Sequence, residues 1–325
     1  MKHIFINTII AGTMLFAATG CQENVVEMSS MKCEFVNTGD EAIIYGKGFS
    51  ADDEVFFESD IKANIVADKT NDSVLTVIVP EGVKPGKLCY VPKNGKKVYS
   101  NFMFRDNRGT IIDFSEKFRA SWGGFDAFDE EGEPIKIVKG DGDTILTLPC
   151  TPPDEISGRY GLLYGIYKEP WSMKRETFLQ YSAREEWSGR GNHSIAEDFI
   201  DRPLEDLCLK FELYVPKECP FKCNPRVEIF FGPYDAENKH GREQSPIYAW
   251  EPCKTNGNYF YTDGWQTMMV PLTMFNKSYE SDAIEAGPIN LNTAINLTFV
   301  LVGDPGETPS ENYFCVDNFR VVPIK

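Results

Sequence analysis

Residues 207–215 read LCLKFELYV, with an apolar side chain at every second position. Leu207, Leu209, Phe211, Leu213 and Val215 make one face, while Cys208, Lys210, Glu212 and Tyr214 make the other. Side chains alternate across a strand with a period of two, so the stretch predicts a strand with one face in a core and the other turned outward. Val227–Phe231 continues the scheme, followed by WQTMMVPLTMF at 265–275, INLTFVLV at 295–302 and YFCVDNFRVV at 313–322. Loops rich in Gly, Pro, Asn and Asp divide these runs. No stretch sustains more than a turn or two of helix except Ser281–Ala286. Long antiparallel strands spread over residues 105–325 predict two packed sheets in a jelly roll.

Upstream, residues 33–104 carry shorter runs: Ala42–Tyr45, Val55–Phe57, Ile61–Val66, Val74–Val79, Lys87–Val91 and Tyr99–Phe104. Each is too short for a core helix, most are rich in β-branched residues, and Pro80, Pro85 and Gly86 punctuate them. The fold class is therefore all-β: a small immunoglobulin-like sandwich followed by a larger jelly-roll β-sandwich. EAIIYGKGFS at 41–50, VFF at 55–57 and SVLTVIVPEGVKPGKLCYV at 73–91 resemble the immunoglobulin-like TIG/IPT domain. That resemblance implies a spacer or interaction module. The block gathers no acid, His or Ser set, so no chemistry is assigned to it.

The N-terminus opens with Lys2 and His3, runs apolar from Ile4 to Ala18 and ends in LFAATGC at Cys21. A short basic segment before an apolar stretch of this size reads as a secretory signal over residues 1–20, not as a spanning helix. Thr19 and Gly20 before Cys21 resemble a bacterial lipobox, which implies lipidation of Cys21 and a tether over residues 21–32. Acyl chains contribute roughly 0.8 kcal/mol per buried methylene, enough when several are attached to hold a domain on a membrane. Eight cysteines follow: Cys33, Cys89, Cys150, Cys208, Cys219, Cys223, Cys253 and Cys315. An even count in an exported chain permits disulfides without specifying their pairing.

The 325 residues hold 33 Lys+Arg against 49 Asp+Glu, a formal net charge of −16. Nine basic and 13 acidic side chains fall in 22–104, against 23 and 36 in 105–325. This disfavours nucleic acid and other polyanions as partners and suits a neutral, hydroxyl-rich ligand on the larger unit. Three His residues in the whole chain exclude a histidine-rich metal centre.

RGTIIDFSEKF at 108–118, SWGG at 121–124, EISGRYGLLYG at 155–165, DGWQTMMVPLTMF at 263–275 and VDNFRVVPI at 316–324 are similar to segments of one family. Together with the lipobox and TIG-like block, they resemble the cell-surface glycan-binding lipoproteins of Bacteroidetes polysaccharide-utilisation loci. The resemblance implies an outer-membrane lipoprotein facing the cell exterior. It would capture a neutral polysaccharide, a β-glucan or hemicellulose, without chemistry. It implies partnership with an outer-membrane TonB-dependent transporter and that transporter's own binding lipoprotein.

A pyranose ring has an apolar C–H face and a rim of hydroxyls, so sugar sites pair flat aromatic side chains with Asp, Asn, Gln or Arg. Three Trp residues sit in polar, loop-like contexts: Trp171 in YKEPWSMKRE, Trp187 in REEWSGRGN and Trp250 in SPIYAWEPC. These are the candidate platforms, with Tyr248, Tyr259 and Tyr261 lining the same face as Trp250. Arg175, Arg184 and Glu186 are candidate hydroxyl partners. Trp265, which begins a strand after Asp263–Gly264, reads as a core anchor, and Trp122 as a weaker platform. No cofactor is expected. In related jelly-roll modules an acid on the last strand helps hold structural Ca²⁺, a role open here to Asp317 with Asp113 or Asp126. Two other readings remain: a surface glycoside hydrolase using Glu212 and Glu228, and a structural or adhesion lipoprotein.

Overall fold

Twenty strands, a single α-helical turn and several short 3₁₀ turns make up the regular structure of the described part of the chain in the computed structural model. Described are residues 25–93, 95–115, 118–120, 122–140, 144–167, 174–189, 191, 193–222, 226–232, 245–253, 259–278, 288–302 and 310–325. The signal peptide, Cys21, Trp171 and the expected helix at Ser281–Ala286 lie outside them.

The first seven strands are β1 (Glu27–Met31), β2 (Glu41–Lys47), β3 (Glu54–Phe57), β4 (Ile61–Ile65), β5 (Val74–Ile78), β6 (Cys89–Val91) and β7 (Val98–Tyr99). They pair in the order β1-β2-β5-β4-β3-β6-β7, all antiparallel, around a core of Met28, Ile44, Val55, Phe57, Leu75, Val77, Tyr90 and Phe104. β1 corrects the expected tether over 21–32: Met28 and Met31 are buried, and the strand pairs with β2 along its length. The run expected at Tyr99–Phe104 is strand only at Val98–Tyr99.

The rest comprises β8 (Thr110–Ile112), β9 (Trp122–Gly123), β10 (Phe125–Asp126), β11 (Ile137–Lys139), β12 (Ile145–Thr147), β13 (Gly161–Tyr167), β14 (Phe178–Ser182), α1 (Glu185–Ser188), β15 (Leu207–Tyr214), β16 (Arg226–Gly232), β17 (Ile247–Trp250), β18 (Gln266–Pro271), β19 (Asn296–Val302) and β20 (Ser310–Pro323). One sheet runs β10-β13-β20-β15-β18, with β8 also on β20; the facing sheet runs β17-β16-β19-β14-β9. β11 and β12 form a separate hairpin. Between the two sheets, Leu207, Leu209, Phe211, Leu213 and Val215 meet Val227, Ile229, Leu297, Phe299 and Leu301, as the alternation predicts. Phe211 stacks on Phe319 with centroids 4.9 Å apart. The strand expected over 265–275 stops at Pro271, after which Leu272–Met274 form a 3₁₀ turn.

The other face of β15 is not solvated. Arg320, 1% exposed, bonds Glu212 Oε2 and Glu34 Oε2 at 2.8 Å each, and Lys210 Nζ reaches Glu34 Oε1 at 2.6 Å. Glu34 belongs to the segment after β1, so the small sandwich supplies the carboxylate that neutralises two cations of the jelly roll. Phe35 lies under the Arg320 guanidinium at 4.9 Å. A β-bulge makes this arrangement possible. Lys210 pairs with Arg320 and Glu212 with Asp317, so Asn318 and Phe319 together oppose Phe211 alone. Asn318 takes φ 50°, and the extra residue leaves both Asp317 and Arg320 outward while Phe319 points into the core.

Candidate functional site

The five-stranded sheet has an outer face that register alone defines. Trp122, Gln180, Thr298, Phe230 and Ile247 form one transverse row across β9, β14, β19, β16 and β17. Ser182, Asn296 and Gly232 form the next row on one side, and Phe178, Val300, Glu228 and Ala249 the next on the other. Gln180 Nε2 donates to Thr298 Oγ1 at 3.2 Å. Asn296 Nδ2 is buried without a hydrogen-bond partner, a state costing about 1–3 kcal/mol. Most of this face is itself buried, and Phe178, Phe230, Ile247 and Val300 form an apolar cluster on it.

Two Trp residues are exposed among those described, and both flank β14. Trp122 is 44% exposed on the edge strand β9, its ring edge-on to Phe178 at 4.7 Å. β9 can lie there because residue 123 is glycine at φ 85°: a Cβ would meet the Phe178 carbonyl oxygen at 1.9 Å. Gly123→Ala is accordingly expected to cost more than ~1 kcal/mol and to weaken glycan binding by displacing Trp122, checked by thermal unfolding beside affinity electrophoresis. Trp187, 50% exposed, stands on α1 just past the far end of β14. Its Nε1 donates to Glu186 Oε1 at 2.8 Å, and Arg184 Nη1 bonds the same oxygen. The one-turn helix thus brings together Trp187, Glu186 and Arg184. Arg175 is engaged elsewhere, with Nε on the Gly124 carbonyl at 2.7 Å and its guanidinium over Phe125.

The remaining expected aromatics take other positions. Trp250 is 7% exposed, and its ring packs edge-on against Phe260 at 5.1 Å within the inter-sheet core, where it presents no open face to a ligand. Tyr248 packs against that core beside Phe275. Tyr259 and Tyr261 are exposed on either side of Phe260. They therefore lie near the Trp250 end of the five-stranded sheet, opposite the Ser182 end where α1 follows; at ~3.3 Å per residue, the length of β16 separates the ends by about 20 Å. Trp265 is not in the inter-sheet core: half-buried, it packs on Tyr160 and Tyr214 on the outer side of the other sheet, against the small sandwich.

The acids expected to do chemistry are tied down and apart. Glu212 lies on β15 and Glu228 on β16, in different sheets. Both are fully buried, Glu212 with Arg320 and Glu228 with Arg226 at 2.9 Å. Burial pushes the Glu212 carboxyl up against the pull of Arg320. Neither offers a carboxylate across an open cleft, which hydrolysis requires. Asp317 is also buried, which raises its pKa well above the carboxylate range, and its oxygens take bonds from Ser157 Oγ and the Asn318 amide, 2.8 Å each. Asp113 bonds Ser115, and Asp126 pairs with Arg119 at 3.0 Å. Among the described residues no cluster of three or more His, Cys, Asp or Glu assembles for a metal. Cys253 is in a disulfide, while Cys33, Cys89, Cys150, Cys208, Cys219 and Cys315 are free thiols. Burial pushes Cys208 up to about 11 and Cys219 up to about 12, which makes them poor nucleophiles.

No curated protein sequence matches the chain. Solved structures do. The surface glycan-binding protein PbSGBP-B from Prevotella bryantii is 19% identical, with 92% of this chain and 77% of that one covered and a TM-score of 0.66. An SGBP-B from a complex xyloglucan utilization locus in Bacteroides uniformis is 16% identical over 92% and 73%, with a TM-score of 0.55. A structure described with xylogluco-oligosaccharide is 17% identical, with a TM-score of 0.55, and this chain spans 58% of its length. These likenesses establish the tandem β-sandwich fold. The model of the surface glycan-binding protein B xyloglucan binding domain matches residues 104–323, which include both sheets, the exposed Trp residues and α1. The chain belongs to this family of cell-surface glycan-binding proteins, and its function is to bind a glycan without cutting it.

Proposed function

We propose that the chain captures a neutral β-glucan or hemicellulose, with xyloglucan the first candidate, along the margin formed by β9, β14 and α1. Trp122 and Trp187 serve as stacking platforms, and Arg184 and Glu186, carried on the same turn as Trp187, meet the hydroxyl rim. Trp171 remains an expected third platform, with Tyr261 a more distant contact. The lipid on Cys21 holds the protein at the outer face of the outer membrane, and captured chains pass to a TonB-dependent transporter and its binding lipoprotein. Weak contacts repeated along one polymer add up to useful avidity.

The observation that carries this reading is the pair of exposed indoles flanking one strand inside the family-matched unit. Net charge supports a neutral ligand over an anionic one. The test is affinity electrophoresis of residues 22–325 against xyloglucan, mixed-linkage glucan, xylan and mannan, with reducing ends assayed in the same samples. Retardation by a β-glucan backbone without release of reducing ends is expected. Retardation by none of these polymers would remove the proposal.

A further inference from the structure

We propose a second saccharide site in the cleft where the small sandwich meets the jelly roll, which takes a single pyranose ring of a neutral glycan. It rests on the capture reading above but lies on the opposite sheet from Trp122 and Trp187, and half of it belongs to the small sandwich. The cleft encloses about 200 Å³. That is below the ~300–1,000 Å³ of pockets that enclose a whole drug-sized ligand, and suits one ring of a longer chain.

Its wall is apolar: Val36 and Ile43 from the small sandwich, Ile156 and Trp265 from the jelly roll. Tyr45, two residues along β2 from Ile43, extends the same face. The indole is held in place before any ligand arrives. Trp265 Nε1 donates to the Asp154 carbonyl at 3.1 Å, and the ring is wedged edge-on against Tyr160 at 5.0 Å. A pre-set aromatic wall loses little entropy on binding.

The rim supplies acceptors for hydroxyls. Asn37, which lines the cleft, spends its Nδ2 on the Glu155 carbonyl at 2.6 Å and keeps Oδ1 as its acceptor, and the exposed Asp40 carboxylate stands on the adjoining turn. The other charges at the mouth are already paired, Lys32 with Asp263 at 3.1 Å and Glu41 with Lys69 at 2.7 Å. Among the described residues that line the cleft, no unpaired cation remains to attract an anion. An apolar wall, a fixed indole and side-chain oxygens fit the C–H face and hydroxyl rim of a neutral sugar. With this site the small sandwich is part of the binding surface, and two weak sites on one chain raise avidity for a polymer that reaches both.

The test titrates ¹⁵N-labelled residues 22–325 with xylogluco-oligosaccharide and cello-oligosaccharide, read by amide and indole chemical shifts. Expected are saturable shifts at Asn37, Asp40, Ile43 and the Trp265 indole that persist in a Trp122→Ala/Trp187→Ala double variant. Asp40→Ala, which removes an exposed side chain, is expected to weaken them about threefold or more. Shifts at Trp122 and Trp187 with none at the cleft would overturn this site and leave the capture proposal standing. Unchanged cleft affinity in Asp40→Ala would also overturn the site. No shifts anywhere would overturn both.

Discussion

Replacing Trp122 and Trp187 together with alanine is expected to remove most of the polysaccharide retardation while leaving the unfolding midpoint nearly unchanged. Both rings are about half exposed, so truncation removes little buried area, and surface changes of this kind usually stay within about 0.5 kcal/mol. The effect on binding is of another order. Aromatic anchors at a contact commonly contribute about 2 kcal/mol or more each, roughly 30-fold in affinity. Each single variant is expected to lose most of the binding, because a shallow site with two platforms keeps little affinity on one. Trp250→Ala is the counter-case. Its ring fills the inter-sheet core against Phe260, so it should cost about 3–5 kcal/mol of stability, and any loss of binding should track loss of folded protein. Urea unfolding alongside affinity electrophoresis separates the two outcomes. Full binding by the folded double variant would move the site away from the β9–β14 margin.

Arg320→Ala is expected to be the most destabilising single change at the junction of the two sandwiches. The guanidinium donates to both Glu212 oxygens, to Glu34 and to the Asn318 carbonyl, all within a buried cluster. Deleting it leaves the Glu212 carboxylate with Thr267 as its remaining donor and the Glu34 carboxylate with Lys210. An uncompensated buried charge typically costs about 3–5 kcal/mol, a large share of the ~5–15 kcal/mol that holds a domain folded. Arg320→Lys should lose less, since the charge stays but one ammonium cannot reach both carboxylates from the planar geometry a guanidinium provides. Because Glu34 belongs to the small sandwich, Glu34→Ala should also destabilise the jelly roll, and in wild type both units should melt in one transition. A urea-midpoint loss under 1 kcal/mol for Arg320→Ala would mean that water or a shifted Lys210 replaces the guanidinium.

Much of the architecture was legible because burial on one side of a strand imposes a period of two. The alternation in LCLKFELYV places five side chains between the sheets, and all five are there. The same rule misread the other side. Cys208, Lys210, Glu212 and Tyr214 looked outward because they alternate with the core, but alternation says only that they leave that core, not what covers them. Glu34, about 180 positions earlier, covers Lys210, and Arg320 covers Glu212. Polar neighbours likewise misplaced Trp250: SPIYAWEPC reads as a loop, yet Ile247–Trp250 pairs with β16 and directs its last side chain inward. The two glycines after Trp122 do not announce a strand in sequence, whereas at Gly123 the missing Cβ lets a short edge strand dock on β14 with Trp122 exposed.

By itself the sequence determined the all-β class and the order of small and large sandwich, since periodicity and turn residues are local properties of the chain. Which aromatics share a margin, which acids are buried and paired, and that the two sandwiches meet in a common charged cluster and cleft were decided by tertiary structure alone. Those facts depend on strand register, on a one-residue bulge at Asn318 and on pairings between residues more than a hundred positions apart, and no local pattern carries that information.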